Sequence, residues 1–420
     1  MVSFSAWRQA SVFETPLLLG RLMQSPIRFS QQATDGGRYA ACRVPLGYLG
    51  LPLLNKVAPF HSLVAVGHAS VMNEVLRSKD FERGFEFDEV ARLLGSSVLT
   101  ERGQKHKELR AAINHAFVPK SVKLLAAVVE EEVERVGDAF PRAAAFDLRP
   151  HMHALTLRIL CRTMFDMTLP ESVARTLDVA VTESGRYMYR GVFQPWRRRD
   201  TRGPFAQRIA YIRSIAAAIL RESDSPFLDA LRAARVDNGQ RGLTHTELID
   251  EVCDVLLAGH ITTANLLTFM FHALARRPQW QITDPEPCHR VWQESLRLYP
   301  TAAFLARHAL VDTEIAGERI PRGTMFIGVP YAIQRNPLEW GDPRRFDPER
   351  FRCAAAAQKL VAFGTGVHVC LGKHLATLEG LTAMRQLFSR FRLSALDDRE
   401  LTLAEGILVE PSEPALIRVS

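Results

Sequence analysis

Between Thr244 and Arg277 the chain carries a helical pattern long enough to cross an entire domain, and any fold must be arranged around it. Thr244 and Glu247 have the Thr-x-x-Glu spacing of a capping box, and Pro278 stops the helix at its far end. At a helical rise of 1.5 Å per residue this is roughly 50 Å of helix. Val255–Ala275 is apolar enough to raise the question of a membrane span. His260, Thr262, Thr263, Asn265 and His272 interrupt it with groups that hydrocarbon tolerates poorly. A buried central helix is the better reading.

The chain has 420 residues, 47% hydrophobic and 24% charged, which is ordinary globular composition with room for a large core. The six cysteines, at 42, 161, 253, 288, 353 and 370, are scattered without a Cys-x-x-Cys pair and read as reduced thiols of a cytoplasmic protein. Leu17–Met23, the apolar run near the N-terminus, contains Arg21 and falls far short of the roughly 20 residues a span requires, so no transmembrane anchor is expected. The net charge is +7. No long basic run or aromatic-interleaved basic stripe accompanies it, which speaks against nucleic acid and leaves an acidic protein partner or a solvated surface. Short apolar runs with Gly and Pro over 38–66 suggest a small sheet, 68–280 is mainly helical, and 337–353 is long and irregular.

A second local feature is a turn. Residues 363–372 read Phe-Gly-Thr-Gly-Val-His-Val-Cys-Leu-Gly, just ahead of a helical pattern beginning near Lys373. Gly364, Gly366 and Gly372 let backbone pass close to a flat, bulky object. Amides of such a turn, and of the helix start behind it, favour a thiolate at Cys370. A thiolate so held suits haem iron, where its electron donation favours O–O cleavage. A buried free cysteine in a tight turn is the plainer alternative.

The order Phe-x-x-Gly-x-His-x-Cys-x-Gly resembles the haem-binding signature of the cytochromes P-450, the haem-thiolate monooxygenases. His368 stands where the family commonly has arginine. The resemblance covers about residues 60–410. It implies a mainly α fold with a minor β region, a single domain over 1–420 with 1–35 as a lead-in segment, and heme b (iron protoporphyrin IX) as cofactor. Cys370 is then the iron ligand, with Phe363, Gly366, His368 and Gly372 framing the cofactor.

Further motifs follow in the family's order. Ala258-Gly259-His260-Ile261-Thr262-Thr263 resembles the oxygen-binding groove: Ala258 and Gly259 leave room, and the Thr262 hydroxyl can hold oxygen or water. Mid-helix Thr and Gly also weaken the backbone ladder, opening the kink that this site uses. The family usually has Asp or Glu directly before this threonine. Ile261 stands there instead and cannot relay protons.

Glu294 and Arg297 lie at i, i+3 on one helix face, with Pro-Glu-Arg-Phe following at 348–351. The resemblance makes Glu294, Arg297 and Arg350 a buried structural network. His106 and Arg110, at i, i+4 on one helix face, match a propionate-gripping segment, where their donors suit carboxylates. Arg307 and His368 are further propionate partners. A solvated helix face is the bland alternative for His106 and Arg110. The basic cluster Arg197–Arg199, with Arg186 and Arg190, lies where the family has its distal lid, and a solvated loop explains it better. Phe85, Phe87, Leu93, Leu94, Val98, Ala302–Leu305 (with Ala303 and Phe304) and Ile407–Val409 (with Leu408) fall where a substrate pocket is shaped. Core packing explains these residues nearly as well. Asp254 and Ile261 share a helix face at the same place.

The function implied is reductive activation of dioxygen at a haem and oxidation of an apolar small molecule in secondary metabolism, by a monomer. Electrons come from a separate ferredoxin and ferredoxin reductase, because no length remains for a flavin or iron–sulfur domain. Arg102, Lys105, Lys359 and Lys373 are candidate cations for that docking. Two rivals remain: a haem-thiolate enzyme working by peroxide, coupling, desaturation or nitration, supported by Ile261, and a haem-based sensor that is not an enzyme.

Overall fold

A computed structural model describes residues 7–11, 14–36, 39, 41–45, 62–84, 86–142, 144–193, 203–406 and 408–420. The chain divides into two compact units: Met1–Glu86 with Val192–Pro195 and Leu296–Cys370, and Phe87–Gly191 with Trp196–Ser295 and Leu371–Ser420. Phe85, Ile407 and the Arg197–Arg199 cluster lie outside the described residues, as do the side chains of Leu93 and Arg190.

The first unit holds a six-stranded mixed sheet. Its order runs Arg8–Gln9, Ala41–Pro45, Ser62–Val66, Met325–Gly328, Leu305–Ala309, Phe81–Glu82. Ser62–Val66 lies parallel to Met325–Gly328, which pairs antiparallel with Leu305–Ala309. Ser62–Val66 is buried from Leu63 onward and Met325–Gly328 throughout, as central strands covered on both faces must be. The Ala69–Arg77 helix covers the sheet with Val71, Met72, Val75 and Leu76, and Phe81 meets Phe326 edge-on at 5.3 Å. In this sheet Arg307 sits opposite Phe326, which fixes its register.

The second unit is helical, with small sheets such as the three-stranded one of Phe146–Asp147, Leu393–Ala395 and Leu416–Val419. Its axis is the His245–Ala275 helix. The capping box forms: the Thr244 hydroxyl accepts from the Glu247 amide at 3.2 Å, and Glu247 accepts from the Thr244 amide at 2.9 Å. Arg241 and Lys105 also bind the Glu247 carboxylate, and together these donors hold it well below the usual carboxylate range. This helix is long and apolar enough to cross a membrane, yet 78% of the apolar stretch is buried inside the protein, as in a core helix. A close approach elsewhere fixes Gly380 in the Lys373–Arg390 helix, where an added Cβ would lie 2.2 Å from the Trp292 ring.

Candidate active site

The turn at residues 363–370 is held from within and from below. The Cys370 amide donates to the Phe363 carbonyl at 2.9 Å, closing the loop, and a short 3₁₀ turn spans Gly366–His368. Gly364 and Gly366 both have positive φ, at 63° and 74°. At Gly366 an added Cβ would stand 2.1 Å from the Leu76 carbonyl oxygen, so the turn packs directly on the end of the Ala69–Arg77 helix. Arg77 adds a 3.3 Å bond to the Thr365 hydroxyl. Gly372 has an ordinary φ of −73° and open space around it, so nothing among the described residues demands glycine there. The outcome is a rigid turn with the Cys370 side chain exposed.

Two basic residues of the same unit are buried. Arg307 is 6% exposed, donates to the Ala306 carbonyl at 2.7 Å, and feels Glu82 and Glu86 electrostatically. Burial lowers its affinity for the proton from the ordinary arginine value without neutralising it. His368 is buried and its Nε2 bonds the Glu82 carboxylate. Burial pushes its imidazole down to about 4, against the opposing pull of Glu82. His308 in turn meets the buried Glu86 at 2.9 Å.

Arg297, of the predicted structural network, is fully buried, and its guanidinium binds backbone carbonyls. It donates to the carbonyls of Gln334 at 2.9 Å, Pro343 at 2.8 Å and Arg345 at 3.1 Å, and lies over the Trp340 ring. Arg350 donates to Gly341, Asp342 and the same Arg345 carbonyl. Thus the two arginines organise the irregular 337–353 segment by binding carbonyls within it and just before it. Arg350 is half-buried rather than buried, and Glu294 is buried completely.

In the second unit, the His245–Ala275 helix is mostly buried beyond its first turn, and its middle is most exposed around Ala258. Ala258 is exposed and Gly259 and Thr262 are half-buried, while Ile261 is only 3% exposed. The helix is continuous through this stretch, and the Thr262 hydroxyl returns to the Ala258 carbonyl at 2.7 Å. Gly259 has a packing reason: an added Cβ would lie 2.8 Å from Leu160 of the Arg149–Met164 helix. The accessible part of this stretch is therefore Ala258, with Val255, Gly259 and the Thr262 hydroxyl beside it.

The loop after Leu94 is tied to this helix by acids. The Ser96 amide donates to Asp250 at 2.9 Å and the Leu99 amide to Asp254 at 3.1 Å. Glu251, fully buried between them, is held well above the usual carboxylate range by burial and by the Asp254 and Asp250 charges. Asp254 thus anchors a loop. Val98, Ile261 and Ala303 are buried, whereas Phe87, Phe304 and Leu408 are half-buried. His106 is buried and Arg110 half-buried on the Gly103–Phe117 helix, with the shared face that their spacing gives. Of the four docking cations, Lys105 is committed to Glu101 and Glu247, Arg102 pairs with Asp88, and Lys359 donates to the Glu339 carbonyl. Lys373 is exposed.

Within the first unit the donors fit an iron porphyrin chemically: one exposed thiol on a fixed turn, with buried basic side chains for carboxylates. Sequence reading missed the carbonyl partners of Arg297 and a His153–Asp178–His260 cluster with both histidines buried, since both join residues far apart along the chain.

Residues 53–283 and 288–419 match the family model described as cytochrome P-450. The chain is 30% identical over 383 residues to cyclooctat-9-en-7-ol 5-monooxygenase of Streptomyces melanosporofaciens, covering 80% of this chain and 81% of that one. It is 26% identical over 370 residues to pentalenene oxygenase of Streptomyces avermitilis, covering 80% and 82%. Among solved structures it is similar to CYP175A1 from Thermus thermophilus, with a TM-score of 0.83, 26% identity, and 98% and 99% of the two chains covered.

Proposed function

The chain belongs to the cytochrome P-450 family, and from that premise we propose a monooxygenase that oxidises an apolar, terpene-like small molecule with electrons from a ferredoxin and its reductase. The enzyme class and the haem cofactor belong to the family. Heme b, the ferredoxin, a monomeric state, a cytoplasmic location and one catalytic domain over 1–420 are parts of the proposal. The substrate class rests on the two relatives named above, whose names specify cyclooctat-9-en-7-ol and pentalenene.

The observation that carries the reading is the Cys370 turn, closed by its own amide and seated on Leu76, with the thiol exposed. Haem supplies dioxygen activation when bound. Cys370 would hold its iron, with Phe363, Gly366 and Gly372 in the framing turn. Arg307, His368, His106 and Arg110 would hold its carboxylates, the arginines as permanent cations. Thr262 would orient water and pass a proton at its Oγ1, and Ala258 and Gly259 would keep the space before it open. Phe87, Val98, Asp254, Ile261, Ala303, Phe304 and Leu408, with Phe85, would shape the pocket; Glu294, Arg297 and Arg350 hold structure.

A second reading has an observation of its own. Ile261 is buried and aliphatic where the family usually has an acid, which favours peroxide-driven or otherwise non-standard oxidation. Product analysis with pentalenene as substrate separates the two. The reading predicts turnover with ferredoxin, reductase and NADPH under air; product from hydrogen peroxide alone favours the second. In both cases the reduced, carbon-monoxide-bound protein should show the red-shifted Soret band of thiolate ligation, and Cys370→Ala should lose it. An unchanged band in that variant would overturn the ligand assignment.

A further inference from the structure

His260 lies inside the Ala258–Thr263 motif, but its ring has other partners. It is fully buried, and its Nε2 lies 2.8 Å from Oδ1 of Asp178, on the Glu171–Phe193 helix. The same carboxylate oxygen lies 2.6 Å from Nδ1 of His153, on the Arg149–Met164 helix. Three helices thus bring two imidazole nitrogens and a carboxylate oxygen within 4.8 Å of one another. We propose that His153, Asp178 and His260 form a binding site for a divalent transition metal ion, with zinc as the best match, that uses neither Cys370 nor Thr262.

Ligand chemistry supports this first. Two histidines and one carboxylate, with one position left for water, are a zinc donor set. In a tetrahedral site with bonds near 2.1 Å, ligand atoms stand about 3.4 Å apart. Each histidine nitrogen would therefore draw back from the carboxylate by less than about 1 Å, a side-chain adjustment.

The outer partners are also in place. Metal-bound histidines give their second ring nitrogen to a neighbour that fixes tautomer and orientation. His153 Nε2 meets Asn265 Oδ1 at 3.2 Å, and the Asn265 amide is itself oriented by donating to the Val409 carbonyl at 3.2 Å. His260 Nδ1 meets the Thr156 hydroxyl at 3.0 Å. That hydroxyl can turn its own hydrogen to the Met152 carbonyl at 3.2 Å and so accept from the ring. Each of the two rings therefore has a second-nitrogen partner.

Access is asymmetric in a useful way. The side chains of His153 and His260 are 4% and 0% exposed, whereas that of Asp178 is 28% exposed. Ion and water would enter along the carboxylate. The plain alternative is a hydrogen-bonded cluster in which Asp178 accepts from both rings. A metal ion would displace protons from the two rings and hold the same three helices together.

The test uses the haem-loaded, full-length protein without a histidine tag, treated with chelator and then titrated calorimetrically with zinc chloride. One equivalent should bind and raise the melting temperature. Asp178→Asn and His153→Gln should lose both effects. Thr156→Val, which removes only an outer hydroxyl, should weaken binding by about 10- to 100-fold. An unchanged carbon-monoxide spectrum reports folding in each variant; if the first two fail it, the Thr156→Val affinity decides. No saturable binding by the wild type, or binding unaltered in folded variants, overturns the site and leaves a hydrogen-bonded cluster.

Discussion

The Leu76 carbonyl oxygen stands 2.1 Å from the place a Cβ would take on Gly366. Because the obstacle is backbone, no rotamer change relieves it. Gly366→Ala should therefore lift the Cys370 turn from the helix beneath it. A left-handed backbone alone costs a non-glycine residue on the order of 1–3 kcal/mol, and the clash adds to that. Gly364 shares the positive φ but faces open space, so Gly364→Ala is the matched control. The Soret-to-280 nm absorbance ratio and the melting temperature should fall much further for Gly366→Ala. Equal losses would show that conformation, not the Leu76 contact, sets the demand for glycine.

Arg297 gives a second prediction. Its three carbonyl partners lie 37 to 48 residues further along the chain. Arg297→Lys keeps the charge but cannot reach three acceptors with one compact ammonium. It should lose on the order of 3–5 kcal/mol, the scale for stripping partners from a buried charged network. Denaturant unfolding measures this, and a loss below about 1 kcal/mol would mean that the 337–353 segment is held by other contacts.

What the sequence made legible was local. The Thr244 cap, the stop before Pro278 and the Cys370 turn are each written within ten residues, so chain chemistry alone specifies them. The reason for Gly366 is a carbonyl 290 positions away, and that for Gly259 is Leu160 on another helix. Neither leaves a local signal. Asp254 shares a helix face with Ile261, as read, yet its carboxylate holds the Leu99 amide, a backbone partner that no spacing rule can reveal. Likewise the uninterrupted His245–Ala275 helix shows that Thr262 and Gly259 are absorbed without a break, because packing on the Arg149–Met164 helix outweighs their weak helix preference.

Acid stability carries a third prediction, at His272. This side chain is buried near the end of the central helix, and burial, then the Arg276 charge, push its imidazole down to about 4 against the pull of Asp397, Glu413 and Glu400. In the unfolded chain a histidine titrates near 6.5. Between about pH 6.5 and 4 the unfolded state therefore binds a proton that the folded state refuses. The stability tied to His272 is complete above that window and lost as pH falls through it. His272→Gln, which cannot charge, should make the decline of urea stability between pH 7 and 4 shallower than in the wild type. Parallel slopes would show that this imidazole is not excluded from its proton by the fold.

Proton delivery is the sharpest test of the catalytic reading. The Thr262 hydroxyl is half-buried and bonded to the Ala258 carbonyl, and its neighbour Ile261 has no proton to give. Efficient proton transfer needs a donor or an ordered water within hydrogen-bond reach, and the only other hydroxyl beside it, on Thr263, is buried, so removing this hydroxyl should leave little to replace it. Thr262→Ala should lower product formed per electron by on the order of tenfold, with the missing electrons recovered as hydrogen peroxide, while Thr262→Ser keeps the hydroxyl and most of the coupling. A glutamic acid at position 261 would be buried, which favours its protonated form and makes it a proton source. Ile261→Glu should then keep or raise the coupling of the enzyme that retains Thr262, where its side chain is accommodated. If Thr262→Ala instead leaves product per electron unchanged, protons do not pass through this hydroxyl. The buried Ile261 would then mark an enzyme whose oxidant arrives preformed, and peroxide alone should sustain its turnover.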